Sequence, residues 1–130
     1  MTTIVRNGFA ALAALVFVVA CTAAPVYSVS GSPVNTNTAK ASLDDVGKAI
    51  KTAGINLGWQ MKDVKPGHMI GTLNLRSHQA IVDITYDSKK YDIAYKDSSN
   101  LNYNGSTIHK NYNSWVQNLD RRIQAQLSGI

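Results

Sequence analysis

Met69-Ile70-Gly71-Thr72-Leu73-Asn74-Leu75, then Arg76-Ser77-His78, then Ala80-Ile81-Val82-Asp83-Ile84-Thr85-Tyr86, is the stretch whose reading decides the fold. Successive side chains of a strand point to opposite faces, so a period of two marks a strand with two different surroundings. Met69, Gly71, Leu73 and Leu75 alternate against Ile70, Thr72, Asn74 and Arg76, and Ala80, Val82, Ile84 and Tyr86 against Ile81, Asp83 and Thr85. The same period continues outward on both sides. Leu57, Trp59 and Met61 share one face of a segment ending at the turn Pro66-Gly67, while Tyr91, Ile93 and Tyr95 share one face beyond the turn Asp87-Ser88-Lys89-Lys90. Short polar connections favour antiparallel neighbours, so these four segments predict a meander with one apolar and one wet face.

Two helical patterns flank the meander. Ser42 with Asp45 three residues on reads as a helix start, and Leu43, Val46, Ile50 and Ala53 recur at the three- and four-residue spacing of one helical face. Gly54 is placed to end that helix, which is expected over 43–53. Ile108, Tyr112, Trp115, Leu119, Ile123 and Leu127 form a second, longer stripe. Both helices need an apolar surface, and the apolar sheet face is the one available. The expected fold is α+β: a two-layer sandwich over residues 42–130, a four-stranded antiparallel meander with one helix before it and one long helix after it. Trp59 and Trp115, both on apolar stripes, are expected in the core.

Upstream of residue 42 the composition changes. Arg6 precedes an apolar run from Phe9 to Val19 and the small residue Ala20, the layout of a secretory signal over residues 1–20. At about eleven residues the run is shorter than the roughly twenty that cross a bilayer as a helix; an uncleaved signal anchor is the alternative. Val18-Val19-Ala20-Cys21 resembles the lipobox of bacterial lipoproteins. That resemblance implies cleavage between Ala20 and Cys21, a thioether-linked diacylglycerol on Cys21, and an amide-linked third chain such as palmitate on the new amino terminus. Cys21 is the only cysteine, so no disulfide can form within the chain. A free thiol or an intermolecular disulfide are the alternatives to lipidation. Thr22, in the position where aspartate signals retention at the inner membrane in such lipoproteins, implies the outer membrane, facing the periplasm.

From Thr22 to Ala41 the chain is rich in Ala, Pro, Val, Ser, Gly, Thr and Asn without a hydrophobic period, which predicts a lipidated, disordered tether over residues 21–41. Such a spacer would hold the domain about 25 Å from the bilayer on average. The alternative is an edge strand formed by Val26, Tyr27 and Val29.

Charge and chemistry narrow the function. The formal charge is +5, falling to +4 once Arg6 leaves with the leader, and every acidic residue is Asp. So mild a balance, spread along the chain, argues against nucleic-acid binding. His68, His78 and His109 lack the spacing that converges on a metal. No nucleophile on a strained turn and no pair of carboxylates in an apolar setting stands out, so the chain does not read as an enzyme, and no cofactor is implied. One group mixes aromatic faces with amides: Arg76 and His78 at a hairpin end, Tyr103 in the loop from Asp97 to Thr107, and His109, Asn111, Tyr112 and Asn113 at the last helix entry. It suits recognition of a peptide or sugar, while turn and capping roles are the plainer use of the same residues.

Gly58-Trp59, Pro66-Gly67, Arg76-Ser77-His78, Asp83-Ile84-Thr85-Tyr86, Asp97-Ser98-Ser99-Asn100-Leu101 and the run from Ile108 to Leu119 are together similar to small proteobacterial envelope lipoproteins. The resemblance implies a lipoprotein precursor and transfers no catalytic residue. Two functions are expected to compete: a protein-binding or scaffold domain held at the membrane by its lipid and working on an envelope protein, and a small-ligand-binding or inhibitor module with its pocket near Arg76, His78, Tyr103 and His109.

Overall fold

Ser42 opens the first helix as expected: its hydroxyl accepts from the Asp45 N–H, and the Asp45 carboxylate accepts from the Ser42 N–H. These reciprocal bonds satisfy donors that a helix start leaves without intrahelical partners. They also hold the exposed Asp45 carboxyl below its ordinary pKa, the backbone bond contributing most. The computed structural model describes residues 22–130. In chain order the elements are β1 (Ala23–Pro25), β2 (Val29–Pro33), α1 (Leu43–Asn56), β3 (Gln60–Lys65), β4 (His68–Leu75), β5 (His78–Tyr86), β6 (Lys90–Ser99), β7 (Thr107–His109) and α2 (Lys110–Ser128).

The α+β class and the two flanking helices stand, but the main sheet has five strands, ordered β2-β6-β5-β4-β3, rather than four. The meander runs from β3 to β6, and β2 adds antiparallel to the β6 edge, with Val29 opposite Ile93 and Ser32 opposite Tyr91. The stretch expected as a disordered tether therefore contributes two strands. Its alternation was hidden by a bulge between Val29 and Ser32, where Gly31 takes φ 62°, a conformation that favours glycine. β1 pairs with β7 in a separate two-stranded ribbon. The Asn37 and Thr38 N–H groups donate to the Ile130 carbonyl, closing the 34–41 segment against the end of the chain.

The core lies between one sheet face and the two helices. Trp59, just before β3, and Met69, Leu73, Ala80, Val82, Ile84, Tyr91 and Ile93 from the strands meet Val46, Ile50 and Ala53 of α1 and Tyr112, Val116, Leu119, Ile123 and Leu127 of α2. Three local expectations are corrected. The second helix starts at Lys110, so Ile108 is buried as a strand residue of β7. Val116, not Trp115, continues the stripe from Tyr112, and Trp115 is half-buried at its edge with its ring 6.3 Å from His78. Gly54 does not end α1, which runs on to Asn56. A Cβ there would stand 2.3 Å from Met61 Sδ, so the glycine lets the helix lie close against β3.

Tyr91 is fully buried, and its hydroxyl donates to Asp120 at 2.5 Å, joining β6 to α2. Burial first, then the Asp120 bond, push its pKa up to about 12 from an ordinary 10.0. The folded state thus holds a proton that the unfolded state releases, so this contribution is complete below pH 10 and lost as pH rises toward 12. Across that window stability should fall by up to about 1.4 kcal/mol per pH unit from this one group. Urea titrations at pH 9 and 11 of wild type and Tyr91→Phe check it: the variant is expected to lose the part of the alkaline slope that Tyr91 supplies.

Candidate functional site

The strands give the domain two distinct ends. β4 ends at Leu75 and β5 begins at His78, so the Arg76-Ser77 turn marks one end, and the Pro66-Gly67 turn marks the other. β4 has eight residues, which at about 3.3 Å each separates the ends by about 25 Å.

The residues singled out from the sequence do gather, all at the Arg76 end. Arg76 is exposed in the hairpin turn with φ 55°. The His78 Nδ1–H donates to the Asn100 carbonyl at 2.7 Å, and the Asn100 side-chain amide donates to Ser77 Oγ at 2.8 Å. The His109 N–H donates to the Leu101 carbonyl at 2.8 Å, and His109 Nδ1 accepts from the Asn111 N–H at 3.1 Å, capping α2. Asn111 itself is exposed. Tyr103 stacks on Tyr95 with ring centroids 4.0 Å apart, and Tyr95 meets Tyr112 edge-on at 5.7 Å. Asn113 accepts from the Tyr27 N–H at 2.9 Å and donates to the Pro25 carbonyl at 2.8 Å, clamping the strand β1 exit to α2. These polar groups are largely spent on one another, as the capping and turn reading expects.

Tyr112 is the exception. It is fully buried, and its hydroxyl has no hydrogen-bond partner among the described residues. Burial raises its pKa well above the ordinary value, with Tyr95 and Tyr103 adding to the effect. A buried hydroxyl without a partner costs about 1–3 kcal/mol in desolvation. Tyr112→Phe is therefore expected to raise the urea midpoint by the equivalent of about 1 kcal/mol at unchanged slope.

A cleft that the sequence reading missed lies at the opposite end. It encloses about 630 Å3 between the first turns of α1 and the end of β3, with Leu43, Gly47, Val64, Pro66 and Tyr86 on its walls. Gly47 makes room for Tyr86, since a Cβ there would stand 2.6 Å from the Tyr86 hydroxyl oxygen. Lys51 pairs with Asp63 across the cleft, and Lys48 pairs with Asp44 at 3.1 Å along the helix. Lys65 has no acidic partner among the described residues. Apolar side chains line it beside charges of both signs, an arrangement chemically suited to seat an apolar group. β3 is also a sheet edge, guarded by Lys62 and Lys65 and by a bulge between Asp63 and Lys65, which discourages unspecific strand addition. No sequence signal could have found this cleft, because its walls come from segments far apart in the chain that meet only in the folded domain.

Among the described residues no group of three or more His, Cys, Asp or Glu side chains could hold a metal ion, and no helix is long and apolar enough to cross a membrane. Cys21 and Ala20 lie outside the described residues. No protein-family model, curated protein or solved structure matches this chain.

Proposed function

We propose that the chain is the precursor of an envelope lipoprotein, anchored through Cys21 to the outer membrane and presenting a protein-binding or scaffold domain to the periplasm. The observation that carries the reading is Val18-Val19-Ala20-Cys21 at the end of an apolar leader. Support comes from the cleft beside Leu43, Val64 and Tyr86, which lies at the end of the domain away from Thr22 and so would face outward from an anchored chain. The mechanism is confinement: a lipid anchor raises the local concentration of the domain beside membrane-held partners, so a weak interface suffices.

Mass spectrometry of the native protein, purified gently from detergent-solubilised envelopes, tests this. The expected result is a chain beginning at Cys21 with diacylglycerol and a third acyl chain, accompanied by a stoichiometric protein. A chain that keeps residues 1–20 without acylation overturns the anchor, and an acylated chain that arrives alone overturns the scaffold role.

A further inference from the structure

Thr22, the residue after the cysteine, is already hydrogen-bonded into the fold. The Thr22 carbonyl accepts from the Lys110 N–H at 2.6 Å, Ala23 pairs with His109, and Val26 N–H donates to the Ser106 carbonyl at 3.2 Å. Thr22 is thus fastened to the start of α2, with one peptide unit of about 3.8 Å between its Cα and that of Cys21. A tether of twenty disordered residues would let the domain tumble; a tether of one does not.

We infer that the end of the domain carrying Leu75, Arg76, Tyr103 and Lys110 lies against the lipid headgroups in a fixed orientation. The inference rests on the lipidation of Cys21. A chain of hydrogen bonds places these residues around the anchor point: Ser77 to Asn100, Leu101 to His109, and Lys110 to Thr22. Two of the few large apolar side chains left exposed are here, Leu75 at 45% and Tyr103 at 42%. Leucine and tyrosine beside cations are the residues that settle at a membrane interface, the rings and aliphatic groups at headgroup depth and the charges among phosphates. Arg76 and Lys110 supply those charges and are exposed. The acids are mostly elsewhere: Asp44, Asp45, Asp63 and Asp87 sit at the cleft end, and Asp97, the nearest on the sheet, lies on β6 opposite Ile81. The partner surface is therefore the anionic bilayer itself, and the cleft stands about 25 Å above it on strands rising at 3.3 Å per residue.

Because Cys21 would be acylated, a cysteine introduced elsewhere is the single thiol open to labelling. Full-length acylated protein carrying Asn111→Cys or Ser88→Cys, both exposed positions at opposite ends, is labelled with a fluorophore. It is then reconstituted into phosphatidylethanolamine–phosphatidylglycerol vesicles containing a headgroup nitroxide lipid. Quenching at position 111 is expected to exceed that at 88 several-fold, and Leu75→Cys should behave like 111. Equal quenching at the two ends, in protein whose intact mass confirms acylation, overturns the fixed orientation and leaves the anchor standing. An intact mass without acylation overturns both.

Discussion

Cys21→Ser is expected to abolish the acylated form of the protein completely, and its function with it, while the domain still folds. A hydroxyl in place of the thiol cannot form the thioether, and each methylene removed from the bilayer forfeits about 0.8 kcal/mol, so losing two or more acyl chains changes attachment from effectively permanent to negligible. The core cluster and the side chains packed against it run from Val26 to Ile130 among the described residues. The variant should therefore match wild type in circular dichroism and urea midpoint yet lose the diacylglyceryl mass. An acylated, envelope-bound Cys21→Ser protein would show that the lipobox reading is wrong. A variant that works normally without the lipid would show that location is not the mechanism.

Ile123→Ala should have the largest effect on stability. Ile123 is fully buried in the middle of the α2 stripe, with Leu119 and Leu127 one turn to either side. Truncating it removes transfer energy and leaves a cavity between α2 and its packed neighbours, which in comparable cores costs about 2–5 kcal/mol. Domains of this size are stable by about 5–15 kcal/mol, so the loss is a large share of the total and shifts the melting temperature by on the order of 10–20 °C. Ile55→Ala is the control. Ile55 is 57% exposed near the end of α1, and alanine is the better helix former, so stability is expected to stay within about 0.5 kcal/mol. Urea unfolding at constant slope separates the two, and a similar loss in both would mean that the stripe is not the core.

What the residue pattern determined by itself is local. The alternation from Met69 to Tyr95 placed Met69, Leu73, Ala80, Val82, Ile84, Tyr91 and Ile93 on the buried face, and all are in the core, while Tyr86 and Tyr95 of the same pattern are partly buried and Leu75, at the strand end, is 45% exposed. The Ser42–Asp45 box and the stripe of Leu119, Ile123 and Leu127 placed both helices. Each of these is a period or a cap readable within a dozen residues. That the hairpin turn at Arg76 and His78 lies beside Leu101 and His109 is, by contrast, set by long-range hydrogen bonds.

What only the tertiary structure decided depends on partners far away in the chain. Val29–Pro33 carries Ser, Gly and Pro and shows no period, because an edge strand with a bulge needs few inward residues. Its strand character comes from β6, some sixty positions later. The same holds for Thr22 and Ala23, which are ordered by Lys110 and His109, and for the cleft, where Leu43, Val64 and Tyr86 converge only after α1 packs on β3. Side-chain periodicity reports which face a residue shows. Which strand lies beside it, and which end of the domain Thr22 is fastened to, are fixed by pairings whose energy appears only when the chain closes on itself.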